Sequence, residues 1–315
     1  MAHDHRITGI DCEGAAVAGI RKALSERFED MTGKRREATK WKDPEGVHSM
    51  RVASRRLRSA LGDFMPYVNK RSFSSILKQI RSIADALGEV RDQDVAILAL
   101  EKLQTETPPE FSAPLQMLID TRKGLLRTSR QELKRVLVKD RMKELSSDFE
   151  DALNGATEFK GSSSATTPFA GTYKEIAKAI IRDRLAELET LSVGLYQPLE
   201  AVQLHEMRIG AKRLRYSIEL FADCWDSNIL GFAKNSARIQ TALGKVHDCD
   251  VWIESFRKEI LDSKKHKQPE QTQTFTWLFS HFNEQRYASF QEAFSLWTAW
   301  EKEGVSENLR ESIRT

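Results

Sequence analysis

The stretch His48-Ser-Met-Arg-Val-Ala-Ser-Arg-Arg-Leu-Arg58 recurs without a gap as His205-Glu-Met-Arg-Ile-Gly-Ala-Lys-Arg-Leu-Arg215. Both copies run on to a phenylalanine, Phe64 and Phe221, at an offset of 157 residues. A second block, Leu87-Gly-Glu-Val-Arg-Asp-Gln-Asp-Val95, matches Leu243-Gly-Lys-Val-His-Asp-Cys-Asp-Val251 at an offset of 156. Two blocks in the same order and at nearly the same spacing mark an internal duplication. Such a repeat must be recognised before any fold is assigned.

Each first block reads as one amphipathic helix. With His48 at zero on a helical wheel, Arg51, Arg55 and Arg58 fall at roughly 300°, 340° and 280°, on the side of His48. Met50, Ala53, Leu57, Leu61 and Phe64 gather on the opposite side. The second copy repeats the division, with His205, Arg208, Lys212 and Arg215 on one face and Met207, Leu214, Ile218 and Phe221 on the other. A basic face that is merely solvated is usually paired with acids one turn away. Between Glu45 and Asp63 the first copy has no carboxylate, and before Glu219 the second has only Glu206. The cations also keep their places between the copies, which a solvated face has no reason to do.

Outward from these blocks the periodicity remains helical. Val17, Ile20, Leu24 and Phe28 step by three and four, as do Phe73, Ile76, Ile80, Ile83 and Leu87. Leu115, Leu118, Leu126, Leu133 and Leu137 follow one face, and so do Phe275, Leu278, Phe282, Phe290 and Phe294. No period-two strand bounded by turns is evident, and the eight prolines are read as helix boundaries. The expected fold is all-α: two tandem helical bundles, residues 12–153 and 172–315, within one domain over 12–315. The segment 154–171, rich in Gly, Ser, Thr and Ala, reads as the linker.

Composition narrows the class. The chain has 315 residues, 40% hydrophobic and 30% charged, enough apolar material for a substantial core. Lys and Arg number 49 against 46 Asp and Glu, a net charge of +3 that does not by itself announce a polyanion binder. No apolar run approaches the ~20 residues of a membrane span, and the amino terminus lacks a signal-peptide pattern. Cys12, Cys224 and Cys249 are odd in number and form no C-x-x-C pair, which reads as idle thiols in a reducing compartment, by default the cytoplasm.

Successive rungs of a helix lie about 5 Å apart, and guanidinium forks hold phosphate oxygens in bidentate fashion. A linear polyanion can therefore meet several rungs of each stripe, where a small anion meets one or two. Histidines beside these cations should be pushed toward the neutral form and gain a proton when phosphate arrives. Lys78 and Lys234 recur at matching positions and read as further phosphate contacts, whereas Arg122, Lys123, Arg127, Arg130 and Arg286 read as ordinary surface charge. Gly88 and Gly244 read as a kink or helix end, with Asp92, Asp94, Asp248 and Asp250 as caps or as partners for Arg56 and Arg213. No metal site is expected: neither stripe has a second ligand one turn away, and His247-Asp248-Cys249-Asp250 is not repeated as a ligand set. No phosphate loop, activated nucleophile or carboxylate cluster points to bond-making, so neither catalytic residues nor a cofactor are assigned. Trp225, Trp252, Trp277, Trp297 and Trp300 do not interleave with the stripes and read as packing.

The run from Asp43 to Val52, followed by Arg55-Arg-Leu-Arg58, resembles the signature of the conserved histidine α-helical domain family, CHAD. Leu204-His-Glu-Met-Arg-Ile209 with Lys212-Arg-Leu-Arg-Tyr216 is similar to that family's second-half signature, and the two Leu-Gly-x-Val-x-Asp-x-Asp-Val blocks to its pattern. The resemblance implies two helical bundles related by a pseudo-twofold axis, with a basic channel between them. It implies binding of inorganic polyphosphate, with no reaction of its own. Carried over, it places His48, Arg51, Arg55, Arg58, His205, Arg208, Lys212 and Arg215 at the polyphosphate surface, with Arg56, Arg91, Arg213 and Tyr216 as additional candidates. Some relatives carry a fused enzyme with an E-x-E-x-K motif. Here Glu187-Leu-Glu189 is followed by Thr190 and Leu191, so no phosphohydrolase is inherited. His247 departs from the Arg91 of the first copy.

The expected partner is thus inorganic polyphosphate, and through it polyphosphate-associated proteins or granules, with no membrane. Two other readings compete. One is sequence-insensitive nucleic-acid binding, with DNA or RNA as a competing polyanion. The other is phosphoryl transfer or hydrolysis through the repeated histidines.

Overall fold

A computed structural model describes residues 7–41, 43–68, 70–157, 171–225 and 228–314. Among these the regular structure is helical, as expected, and no strand forms. An isolated antiparallel bridge joins Ala15 and Thr172. The chain divides into two compact units, Gly9–Tyr173 and Lys174–Thr315, the latter together with Ile7 and Thr8.

The first unit contains α1 (Ala16–Gly33), α2 (Arg35–Ala38), α3 (Pro44–Phe64), α4 (Lys70–Gln104), α5 (Pro109–Val136) and α6 (Lys139–Thr157). The second is built from α7 (Tyr173–Leu191), α8 (Ala201–Phe221), α9 (Ile229–Lys265), α10 (Pro269–Lys302) and α11 (Val305–Ser312). The two helices that carry the first repeated block, α3 and α8, are 21 residues each. In both units that helix packs on a long helix carrying the second block, α4 or α9, which packs in turn on α5 or α10.

Local chemistry sets the ends. Asp43 caps α3, its carboxylate accepting from the Glu45 N–H at 2.7 Å, and Pro44 supplies a first residue whose missing N–H would be unpaired anyway. Pro109 and Pro269 likewise open α5 and α10. Pro114 is an exception to the reading of prolines as boundaries: it lies inside α5, near its start. Of the expected linker, residues 154–157 finish α6, while 158–170, Pro168 among them, lie outside the described residues.

The apolar faces pack as the wheel predicts. Met50, Leu57, Leu61 and Phe64 of α3, and Met207, Leu214, Ile218 and Phe221 of α8, are all fully buried. In the first unit Phe149 stacks on Phe28, with ring centroids 4.0 Å apart, and meets the edge of Phe73. In the second, Trp252 stacks on Phe256 and Phe282, and Trp297 on Trp300, which makes these tryptophans packing residues.

The second block departs from its expected local structure. Gly88 and Gly244 are neither kinks nor ends but interior residues of α4 and α9, so the aspartates that follow are not caps. The expectation of idle thiols holds for Cys249, which is free and buried. It does not hold for Cys12 and Cys224, neither of which is a free thiol, so cysteine usage gives no support for a reducing compartment. Among the described residues no helix is long and apolar enough to cross a membrane.

Candidate anion-binding site

In each unit the cationic stripe lies where the first-block helix crosses the long helix. Arg51 passes over Gly88, so that a Cβ placed there would sit 3.9 Å from Arg51 Nε. Arg208 passes over Gly244 in the same way, 4.0 Å from its Cδ. The repeated glycine therefore floors the arginine, and a side chain larger than alanine would displace it. Arg51 Nη2 then reaches Asp92 Oδ1 at 3.5 Å, an exposed and weak pairing.

His48 is half-buried, and its imidazole is lowered below its usual value first by burial and then by Arg91, with Arg55 and Arg51 acting in the same direction against Glu45. The sequence reading anticipated the direction from the cations; burial is the larger cause. Arg55 is also half-buried, and its Nε is shielded from solvent with no hydrogen-bond partner among the described residues. Arg58 is exposed one turn further on.

In the second unit His205 is lowered by burial first, then by His247, Arg208 and Lys212, with Glu206 opposing. His205 Nδ1 lies 3.1 Å from His247 Nδ1, with ring centroids 4.4 Å apart. His247 thus stands where Arg91 stands in the first unit, against the stripe histidine. Lys212 is half-buried. Arg215 is more tied down than Arg58: its Nε donates to Glu219 at 2.7 Å, its Nη1 to Gln240 at 3.5 Å, and its guanidinium lies over the Tyr216 ring.

The remaining candidates divide. Lys78 and Lys234 are exposed on α4 and α9, and by the antiparallel register lie toward the levels of Arg58 and Arg215. Arg56 and Tyr216 are buried, only 6% and 5% exposed. Arg213 pairs with Glu187 of α7, not with an aspartate of the second block.

Asp94 and Asp250 hold arginines that, along the chain, resemble ordinary surface charge. Arg130 of α5 donates to Asp94 at 3.3 Å and lies over the Trp41 ring at 5.5 Å. Arg286 of α10 donates to Asp250 at 2.5 Å. The pairs are equivalent under the 156-residue offset, which was the signal available in the sequence. Burial raises the Asp94 carboxyl above its usual value, with Arg130 and Arg91 opposing.

Chemically the stripes gather several half-buried cations on one helix face. That is a surface for oxyanions, since partly desolvated guanidinium groups gain most from a ligand that restores hydrogen bonds and neutralises charge. Among the described residues no three His, Cys, Asp or Glu side chains converge as a metal-ligand set. The Cys249 thiol is pushed up to about 11 by burial and by Asp248 and Asp250, which leaves it a poor nucleophile.

Comparison with known proteins bears on the family and the fold. A model of the CHAD domain matches residues 22–257, a span that includes both copies of both blocks. The uncharacterized protein Rv2226 of Mycobacterium tuberculosis (strain ATCC 25618 / H37Rv) is 29% identical over 238 residues, 74% of this chain and 44% of that protein. The protein MT2285 of the CDC 1551 / Oshkosh strain matches to the same extent, so this chain spans under half the length of these relatives. The crystal structure of the CHAD domain from the plant Ricinus communis superposes with a TM-score of 0.73 at 20% identity, covering 92% of this chain and 94% of that one. PptA from Streptomyces chartreusis superposes at 0.65 with 13% identity, over 90% and 100% of the two chains. With the family model covering most of the chain, and the fold shared with a CHAD structure, the chain belongs to the CHAD domain family.

Proposed function

We propose that the protein binds inorganic polyphosphate along the stripes of α3 and α8 and performs no reaction of its own on it. The observation that carries this reading is the crossing of α3 and α4, where His48, Arg51, Arg55 and Arg91 share one half-buried environment and Arg55 Nε lacks a hydrogen-bond partner among the described residues. Leaving such cations desolvated is costly, and a polyanion that places oxygens at several rungs offsets that cost. A single small anion does so at one rung only.

The test is calorimetric titration with polyphosphates of graded length, using wild type and the double variant Arg51→Glu with Arg208→Glu. Affinity should rise with chain length to a plateau, and the double variant should lose binding while its helical circular dichroism stays intact. Unchanged affinity in that variant would sink the site assignment. Competition against labelled DNA separates this reading from nucleic-acid binding, because polyphosphate should displace DNA at far lower phosphate concentration than the reverse. Release of phosphate from polyphosphate in the presence of divalent metals would instead favour an enzyme.

A further inference from the structure

The position that is Arg91 on α4 is His247 on α9, and this one change gives the two units different chemistry at an otherwise repeated place. His48 feels the Arg91 guanidinium, which stays charged at every accessible pH. His205 faces a second imidazole, Nδ1 to Nδ1 at 3.1 Å, with the rings inclined by 46°. Two ring nitrogens at that separation attract only when one carries hydrogen toward the bare lone pair of the other. Such a pair accepts one further proton readily, because the resulting imidazolium keeps its N–H directed at the neutral ring and the contact becomes charge-assisted. A second proton would place two N–H groups face to face, so the pair titrates as a unit.

The groups around it set the balance. From α8, Arg208 and Lys212 oppose protonation and Glu206 favours it. On α9, Asp248 and Asp250 flank His247 within three residues, and Arg286 of α10 engages Asp250. Lys245, two residues before His247, is paired with Glu292 of α10. In the free protein burial, then the neighbouring cations, hold His205 below its usual value, and an arriving anion opposes the cations.

We propose that His205 and His247 together form a phosphate-binding pair that takes up one proton as the anion docks, so that the second unit binds polyphosphate in step with proton uptake while the first presents a fixed charge at the same place. This rests on the polyphosphate reading and adds a ligand-facing role for His247. A divalent cation is the other ligand that two imidazoles suit, but Arg208 and Lys212 disfavour it. Uptake on binding means that affinity rises as pH falls from about 8 to about 6, where the pair is charged in the complex before it is charged in the free protein.

The experiment is titration calorimetry of the full chain with long-chain polyphosphate, whose few terminal groups contribute little titration. It is run at pH 6 and pH 8 in buffers of different ionisation enthalpy, on wild type, His247→Arg and His247→Gln. Wild type should take up more protons than His247→Arg, because His205 beside an arginine is harder to charge than the imidazole pair. Its gain in affinity from pH 8 to pH 6 should exceed that of His247→Arg by about 3- to 10-fold. His247→Gln, which keeps a polar side chain without a titrating ring, should lose the extra uptake and bind more weakly at pH 6. Equal proton uptake in wild type and His247→Arg, with binding retained, overturns the inference and leaves the polyphosphate reading standing. Absence of binding in wild type at either pH overturns both. Stoichiometric Zn²⁺ binding that His247→Arg abolishes overturns it in favour of a metal site.

Discussion

Arg286 Nε donates to Asp250 Oδ1 at 2.5 Å, and the pair sits largely out of solvent, with 12% and 20% of the two side chains exposed. It ties α10 to α9 one turn beyond His247, as Arg130 ties α5 to α4 through Asp94. Each aspartate lies three residues after the group that faces the stripe histidine, so the clamp holds that group's helix in place against its neighbour.

Removing one member of this clamp should therefore cost stability. Arg286→Ala strands a carboxylate in a poorly solvated place and should destabilise by about 1–3 kcal/mol. Chemical denaturation of the single variants and of the double variant with Asp250→Asn measures it, and the double variant should cost less than the sum. An unchanged midpoint in Arg286→Ala would show that the clamp contributes nothing.

The glycines beneath Arg51 and Arg208 support a prediction of opposite sign. A methyl at 88 or 244 meets the arginine at ordinary contact distance, so Gly88→Ala should preserve binding and stabilise α4 by about 1 kcal/mol through helix propensity. Gly88→Leu should displace Arg51 and weaken polyphosphate binding. Equal affinity in the leucine variant would mean that Arg51 does not need that floor.

Salt dependence should report the number of rungs used. A linear polyanion releases counterions on binding, so affinity should fall steeply with salt concentration. Arg55→Ala and Arg58→Ala should each weaken binding and reduce the slope of log affinity against log salt by about 1. A slope unchanged by both substitutions would remove α3 from the site.

The stripe histidines make a prediction for the protein without ligand. His48 and His205 are both held below the usual imidazole value by burial and neighbouring cations. A histidine depressed in the folded state favours folding above its unfolded value of about 6.5 and loses that contribution as pH falls through its folded value. Thermal melts should thus show stability declining below about pH 6.5, and His48→Gln with His205→Gln should flatten the decline. Polyphosphate should oppose it, because the bound anion favours the charged rings.

The helical class and the cationic stripes were legible because they depend on spacing within a single helix. Met50, Leu57 and Phe64 recur at helical intervals, and burial follows that interval directly. Gly88 and Asp92 were misread for the same reason: locally a glycine followed by an aspartate resembles a helix end, and only the packing of α3 across α4 makes it a floor for Arg51. Arg130 and Arg286 carry no local signal at all. Their partners lie 36 residues away, and an isolated arginine on a helix is ordinary surface charge until a neighbouring helix places a carboxylate beside it.

By itself, then, the sequence determined the recurrence of the two blocks, the all-α class and the face of α3 and α8 that carries charge, since each is read from residue spacing along the chain. The tertiary structure alone decided which cations are half-buried, that Arg56 and Tyr216 are buried, and that His247 meets His205. Those outcomes depend on how neighbouring helices cross, and a crossing brings together residues whose separation in sequence has no fixed relation to their distance in space. The +3 balance of the chain likewise concealed local charge, which is set by where acids and bases fall on packed faces and not by their sum.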